Sequence, residues 1–180
     1  VNPLDGTENP WLASEWSQPD ARTVVMTIRD DVEWSDGEKL TPDDVAFTFQ
    51  LLKDNPSLDI KGAWQHLETV EVDGDDVIMH LQTDDAPSLP ILGQTMIVPE
   101  HLWADVKDPG TYRNENPVGT GPFVLGNYND QQYSVDKNPD YWQADKIEIE
   151  HIILPSTNSQ LDTVTRGYDW AYSFISDVEG

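Results

Sequence analysis

Cysteine is absent from the 180 residues, which removes disulfides, thiolate metal ligation and cysteine nucleophiles from consideration. Basic residues are scarce: ten Lys and Arg stand against 34 Asp and Glu, a formal net charge of −24. A surface of that sign repels nucleic acid, whose recognition needs a basic face, and it also repels anionic lipid. No apolar run approaches the roughly 20 residues that span a bilayer. A phosphate-cradling loop is missing as well, because Gly119-Thr120-Gly121-Pro122 lacks the Gly-Lys-Ser/Thr ending that grips a nucleotide. Val1-Asn2-Pro3 is not a natural start, so the chain reads as an excised or processed segment whose export signal would lie upstream.

What is present argues for a packed core. Hydrophobic residues make up 37% and aromatics 9%, including seven Trp, which a disordered acidic tail would not carry. The acids are spread along the chain rather than gathered in one block. Such a surface repels itself at low ionic strength and is relieved when salt screens it, the pattern of a protein from a salt-adapted cell, with a merely acidic mesophilic protein as the alternative.

In chain order, residues 1–20 are rich in Pro, Asn, Ser and Gly and predict a surface segment with a turn of helix around Trp11-Leu12-Ala13. The β-branched run over 23–28 predicts a strand. Trp34-Ser35-Asp36-Gly37 predicts a turn, since Asp bonds nearby backbone N–H groups and Gly accepts positive φ. Thr41 then offers a helix N-cap, Pro42 suits the first helical position, and Asp43 and Asp44 suit the positive helix end. Val45, Phe49 and Leu52 fall on one helical face, and Asn55-Pro56 ends the helix. Residues 67–72 and 77–81 predict a hairpin across Asp73-Gly74-Asp75-Asp76. Pro87 and Pro90 break the chain, and Pro99-Glu100-His101-Leu102-Trp103 predicts a short helix. A Gly/Pro loop over 116–122 leads to a second hairpin, 123–128 with 133–137, around Asn129-Asp130. Ile147, Ile149, His151 and Ile153 alternate and predict a strand over 147–154, followed by a helix at 159–166 and a strand at 170–174. The sum is a mixed α/β (α+β) class on a largely antiparallel or mixed sheet with flanking helices.

Several strings recur together in order. The first is Ile28-Arg29-Asp30-Asp31-Val32-Glu33-Trp34-Ser35-Asp36-Gly37 with Thr41-Pro42-Asp43-Asp44-Val45, preceded by Ala13-Ser14-Glu15-Trp16. Ile97-Val98-Pro99-Glu100-His101-Leu102-Trp103 follows, then Asn116-Pro117-Val118-Gly119-Thr120-Gly121-Pro122-Phe123. Last come Lys137-Asn138-Pro139-Asp140-Tyr141-Trp142 and the shortened segment Arg166-Gly167-Tyr168-Asp169. This series resembles the family 5 extracellular solute-binding proteins of ABC importers, the oligopeptide, dipeptide and nickel carriers, here in a form of haloarchaeal charge.

The resemblance implies a periplasmic-binding-protein-like lobe of class II. Residues 1–40 and 117–180 would form core-lobe segments of an incomplete first lobe, with 41–116 as an inserted subdomain and the second lobe absent. It further implies capture of a peptide or similar small solute outside the cell and delivery to ABC permease subunits. The location would be extracellular, at the cell surface, with membrane association only through an anchor outside this chain, and with no nucleic acid and no cofactor.

Candidate site residues follow from the same reasoning. Turn and cap chemistry accounts for the motifs, so no catalytic residue is assigned. His66, His80, His101 and His151 show no ligand spacing, and the 73–76 tip lacks the Glu of a calcium loop, so no metal is assigned. Trp34, Trp64, Trp103, Tyr141, Trp142 and Trp170 could line a cleft, although such rings more often pack in a core. By the resemblance, the stretch after Trp170 runs toward the hinge, which makes Trp170, Ser173, Phe174, Ser176 and Trp34 the ligand-binding candidates. Two other readings stay open: a stand-alone acidic interaction domain, and a glycoside hydrolase fragment using a carboxylate pair.

Overall fold

The computed structural model describes residues 7, 9–84 and 88–156. The helix expected at 159–166 and the strand expected at 170–174 lie outside them. Two antiparallel sheets carry the described chain. The first comprises β1 (Ala13–Asp20), β2 (Thr23–Ile28), β3 (Leu67–Asp73) and β4 (Asp76–Leu81), in the order β1-β2-β4-β3. The second comprises β5 (Phe123–Asn129), β6 (Gln132–Lys137) and β7 (His151–Pro155), in sequence order. Of the two arrangements expected, the antiparallel one is found at every pairing among the described residues.

The inner strands β2 and β4 explain the first sheet. Val24, Met26 and Ile28 alternate with half-buried residues, as do Val77, Met79 and Leu81. Pairing Val24 with Met79 and Met26 with Val77 puts both rows on one face. A side-chain period of two fixes that register, because a one-residue slip would turn every apolar group outward. Helix α1 (Pro42–Asp54) covers this face with Val45 and Phe49, the latter 1% exposed. Burying a side chain of Phe or Met size contributes about 1.5–3 kcal/mol. The β3–β4 connection turns on Gly74, whose φ of +62° suits a residue without a Cβ.

Two strands, the turn at Trp11 and Pro90 differ from expectation, and Pro87 lies outside the described residues. Residues 13–20 form an exposed edge strand, not the tail of an irregular segment, and Trp11 and Leu12 lie in a bend rather than a helical turn. The sequence there lacks β-branched residues; β2 supplies the template, and Pro19 is accommodated near the irregularity between Ser17 and Asp20. Pro90 does not break the chain but sits within α2 (Ser88–Leu92), in the first turn, where a helix leaves N–H groups unpartnered anyway. The last strand is shorter than expected. Ile149 and Ile153 of the alternating row are more than half exposed, while Ile152 and Leu154 are the partly buried ones.

The boundary expected at 40/41 falls between β2 and its sheet partner β4, so the first sheet runs across it. The boundary expected at 116/117 falls in the irregular stretch between the two sheets. A short helix α3 (Glu100–Trp103) opens that stretch.

Candidate functional site

The sequence motifs converge on two places. The first is the Asp44 carboxylate, 4% exposed at the start of α1. Its Oδ2 accepts the Thr41 backbone N–H at 2.9 Å, the Thr41 hydroxyl at 3.1 Å and the Trp34 indole N–H at 3.4 Å. Its Oδ1 accepts the Glu100 N–H at 2.9 Å. A Thr-x-x-Asp capping box therefore does more than cap a helix: it ties the Trp34 turn to the start of α3. Around it, the Ser35 N–H donates to the Gly119 carbonyl at 3.0 Å, and the Gly119 N–H donates to the Ser35 hydroxyl at 3.3 Å. Gly37 takes a φ of +91° to close the turn.

His101 Nε2 lies 2.8 Å from Asp36 Oδ2. Burial pushes the Asp36 carboxyl up, but the His101 hydrogen bond and the Glu38 N–H outweigh it, and the group ends below its ordinary range. Among the described residues no cluster of three metal-ligating side chains forms.

The second place is the seam between the sheets. Arg29 leaves the end of β2 and chelates Asp31 through Nε at 2.5 Å and Nη2 at 2.8 Å. Its guanidinium lies 3.6 Å from the centroid of the Trp142 ring. Trp11 meets Trp142 edge-on at 5.6 Å and Tyr141 at 6.4 Å. The Asp31 hydrogen bond raises the already high Arg29 pKa, and Arg29 in turn lowers Asp31. Burial raises Tyr141, with Arg29 pulling the other way.

An apolar crevice of about 180 Å³ opens beside the first core, lined by Trp11, Trp16, Phe49, Met79, Leu89 and Leu92 among others. Small-molecule sites usually enclose roughly 300–1,000 Å³, so this crevice cannot by itself enclose a peptide.

Of the ligand-binding candidates, Trp34 is 1% exposed and belongs to the core. It packs and donates to Asp44 instead of lining a cleft. Trp170, Ser173, Phe174 and Ser176 lie outside the described residues. The other rings are held structurally: the Trp64 indole donates to the Phe49 carbonyl at 2.7 Å, and Trp103 stacks edge-on with Tyr112 at 5.2 Å. Sequence reasoning did not single out Arg29 or the hub role of Asp44. The Thr-x-x-Asp spacing was a visible signal for Asp44; nothing local signalled Arg29, because its partner ring is over a hundred residues away.

The fold and the ordered turn motifs fit a lobe of the solute-binding type. The family model for bacterial extracellular solute-binding proteins, family 5, middle, matches residues 7–174, and the chain belongs to that family. It is a family of binding proteins, not of enzymes, which removes the hydrolase reading. The chain is similar to protein XP55 of Streptomyces lividans, 34% identical over 156 residues that cover 82% of this chain and 27% of that one. A relative in Agrobacterium fabrum, named "Probable peptide-binding protein YejA", is 31% identical over 145 residues, covering 74% and 23%. Among solved structures, the mannohexaose-bound periplasmic oligopeptide-binding protein of Thermotoga maritima superposes with a TM-score of 0.79 at 29% identity, covering 87% of this chain and 30% of that one. The chain thus spans about a quarter of the length of the curated relatives it matches.

Proposed function

We propose that this chain is part of the first lobe of a substrate-binding component of an ABC importer, which captures a peptide or similarly sized solute outside the cell and hands it to membrane permease subunits. The observation that carries the reading is the family match across residues 7–174, together with the close superposition on an oligopeptide-binding protein. The solute is bound between this lobe and a second one. That fits an apolar crevice beside the first core that is too small by itself to enclose a peptide. Solute then shifts an open–closed equilibrium toward closure. Membrane attachment comes from an anchor outside this chain; among the described residues no helix is long and apolar enough to cross a bilayer. The acidic surface reflects a salt-adapted, haloarchaeal cell.

The test is a thermal-shift screen of the native gene product against peptides of two to ten residues, oligosaccharides and nickel–histidine, beside the same screen on residues 1–180. The expected result is a saturable upward shift for the gene product with one solute class and none for the 180-residue piece. Tight binding by the piece alone would overturn the two-lobe reading, and no shift in either would overturn solute capture.

A further inference from the structure

Among the described residues, the two sheets do not share a core. Among the described residues, the buried cluster under the first sheet receives only Val118 and Trp142 from beyond residue 100, and no residue of β5, β6 or β7. The chain between the sheets is largely irregular and is pinned to the first unit at Glu100 and Gly119, short of the second sheet itself. Something else must hold the second sheet at one angle to the first.

We propose that Arg29 and Trp142 form the joint that sets this angle, with Arg29 acting as a positioning residue for the lobe's shape. Three observations carry it. First, Arg29 is anchored on the first-sheet side at several points: its backbone N–H donates to the Leu12 carbonyl at 3.1 Å, its Nη1 reaches the Trp11 carbonyl at 3.4 Å, and Asp31 holds the fork of the guanidinium. The plane is therefore fixed before it meets the ring. Second, the Trp142 indole N–H is buried and has no hydrogen-bond partner among the described residues. A buried N–H is normally satisfied. Here the ring is oriented by its faces and edges, with Arg29 over one face and Trp11 and Tyr141 against it. Third, the loop that presents Trp142 is itself rigidly held: the Asn138 N–H donates to the Pro122 carbonyl at 2.9 Å, its side-chain amide donates to the Gly121 carbonyl at 3.1 Å, and its Oδ1 accepts the Asp140 N–H at 3.1 Å. The stacked pair joins these two rigid parts, beside the Ser35–Gly119 hydrogen bonds and the Trp11 contacts. A planar cation on an aromatic face favours close parallel approach, which a lysine ammonium does not reproduce.

The joint is tested by pulsed electron–electron resonance on the native gene product, without solute, so its outcome is independent of whether solute capture is correct. Glu71→Cys on β3 and Asn127→Cys on β5 place spin labels at exposed positions on the two sheets, with any cysteine elsewhere in the gene product replaced by serine. Arg29→Ala and Trp142→Ala are expected to widen the inter-label distance distribution at least twofold, and Arg29→Lys to widen it partly. Trp142→Phe keeps a smaller aromatic face for Arg29 while removing the pyrrole ring with its N–H, so it is expected to widen the distribution less than Trp142→Ala. Phe49→Leu, a core change within the first sheet unit, lowers the melting temperature and leaves the distribution unchanged. A distribution as narrow in Arg29→Lys and Trp142→Ala as in the parent would overturn the proposal. So would equal widening by Phe49→Leu, which would mark general loosening instead of a joint.

Discussion

Asp44 shows how much one side chain can organise. Its two oxygens collect the Thr41 N–H, the Thr41 hydroxyl, the Trp34 indole and the Glu100 N–H. Groups bonded to a charged acceptor gain more than neutral pairs, and leaving buried donors without an acceptor costs their full desolvation. Asp44→Ala is therefore expected to destabilise the protein by about 3 kcal/mol, read from the urea midpoint. A loss below about 1 kcal/mol would mean that water replaces the carboxylate. The spacing Thr41-x-x-Asp44 made the cap legible in the sequence. The links to Trp34 and Glu100 were not legible, since they join segments whose proximity depends on the fold.

At the scale of elements, the hairpins read well because each is local. Residues 67–81 carry both strands and their Gly-containing turn, and the β5–β6 turn is closed by Asn129, whose Oδ1 accepts the Gln131 and Gln132 N–H groups at 2.9 and 3.0 Å. Two of the edge strands read poorly: β1 owes its form to β2, and β7 kept only part of its expected length and turned the opposite row inward. The second sheet also hides a close approach. A Cβ on Gly126, at the irregularity between Leu125 and Asn127, would stand 2.5 Å from Asp136 Oδ2 and 3.0 Å from Ser134 Oγ. Swinging Asp136 away would disturb its hydrogen bond to His151 across the β6–β7 pair. Gly126→Ala is expected to cost about 1–3 kcal/mol and to speed hydrogen exchange of the β6 and β7 amides selectively. Uniform exchange across both sheets would place the strain elsewhere.

For the whole molecule, charge dominates. With ten cations and 34 acids, even complete one-to-one pairing leaves 34 − 10 = 24 carboxylates unpaired. Several of the ion pairs that do form are well exposed, such as Arg22 with Glu68 at 3.7 Å, and exposed pairs contribute at most about 1 kcal/mol each. Raising salt from 0.1 M to 1 M shortens the screening length from about 10 Å to about 3 Å. The native gene product is accordingly expected to gain several degrees in melting temperature over that range of KCl, by scanning calorimetry. A flat profile would remove the salt-adaptation argument and leave the family assignment standing.

By itself, the sequence determined the mixed α/β class, helix α1 with its cap, both hairpins and the family, because each rests on contiguous residues: apolar periodicity, turn chemistry and ordered motifs. The tertiary structure alone decided that Trp34 is a core residue, that Asp44 binds three segments together, and that Arg29 meets Trp142 across the seam. Those outcomes depend on which distant surfaces come together, and no local pattern encodes a contact between residues that approach only after the sheets have formed.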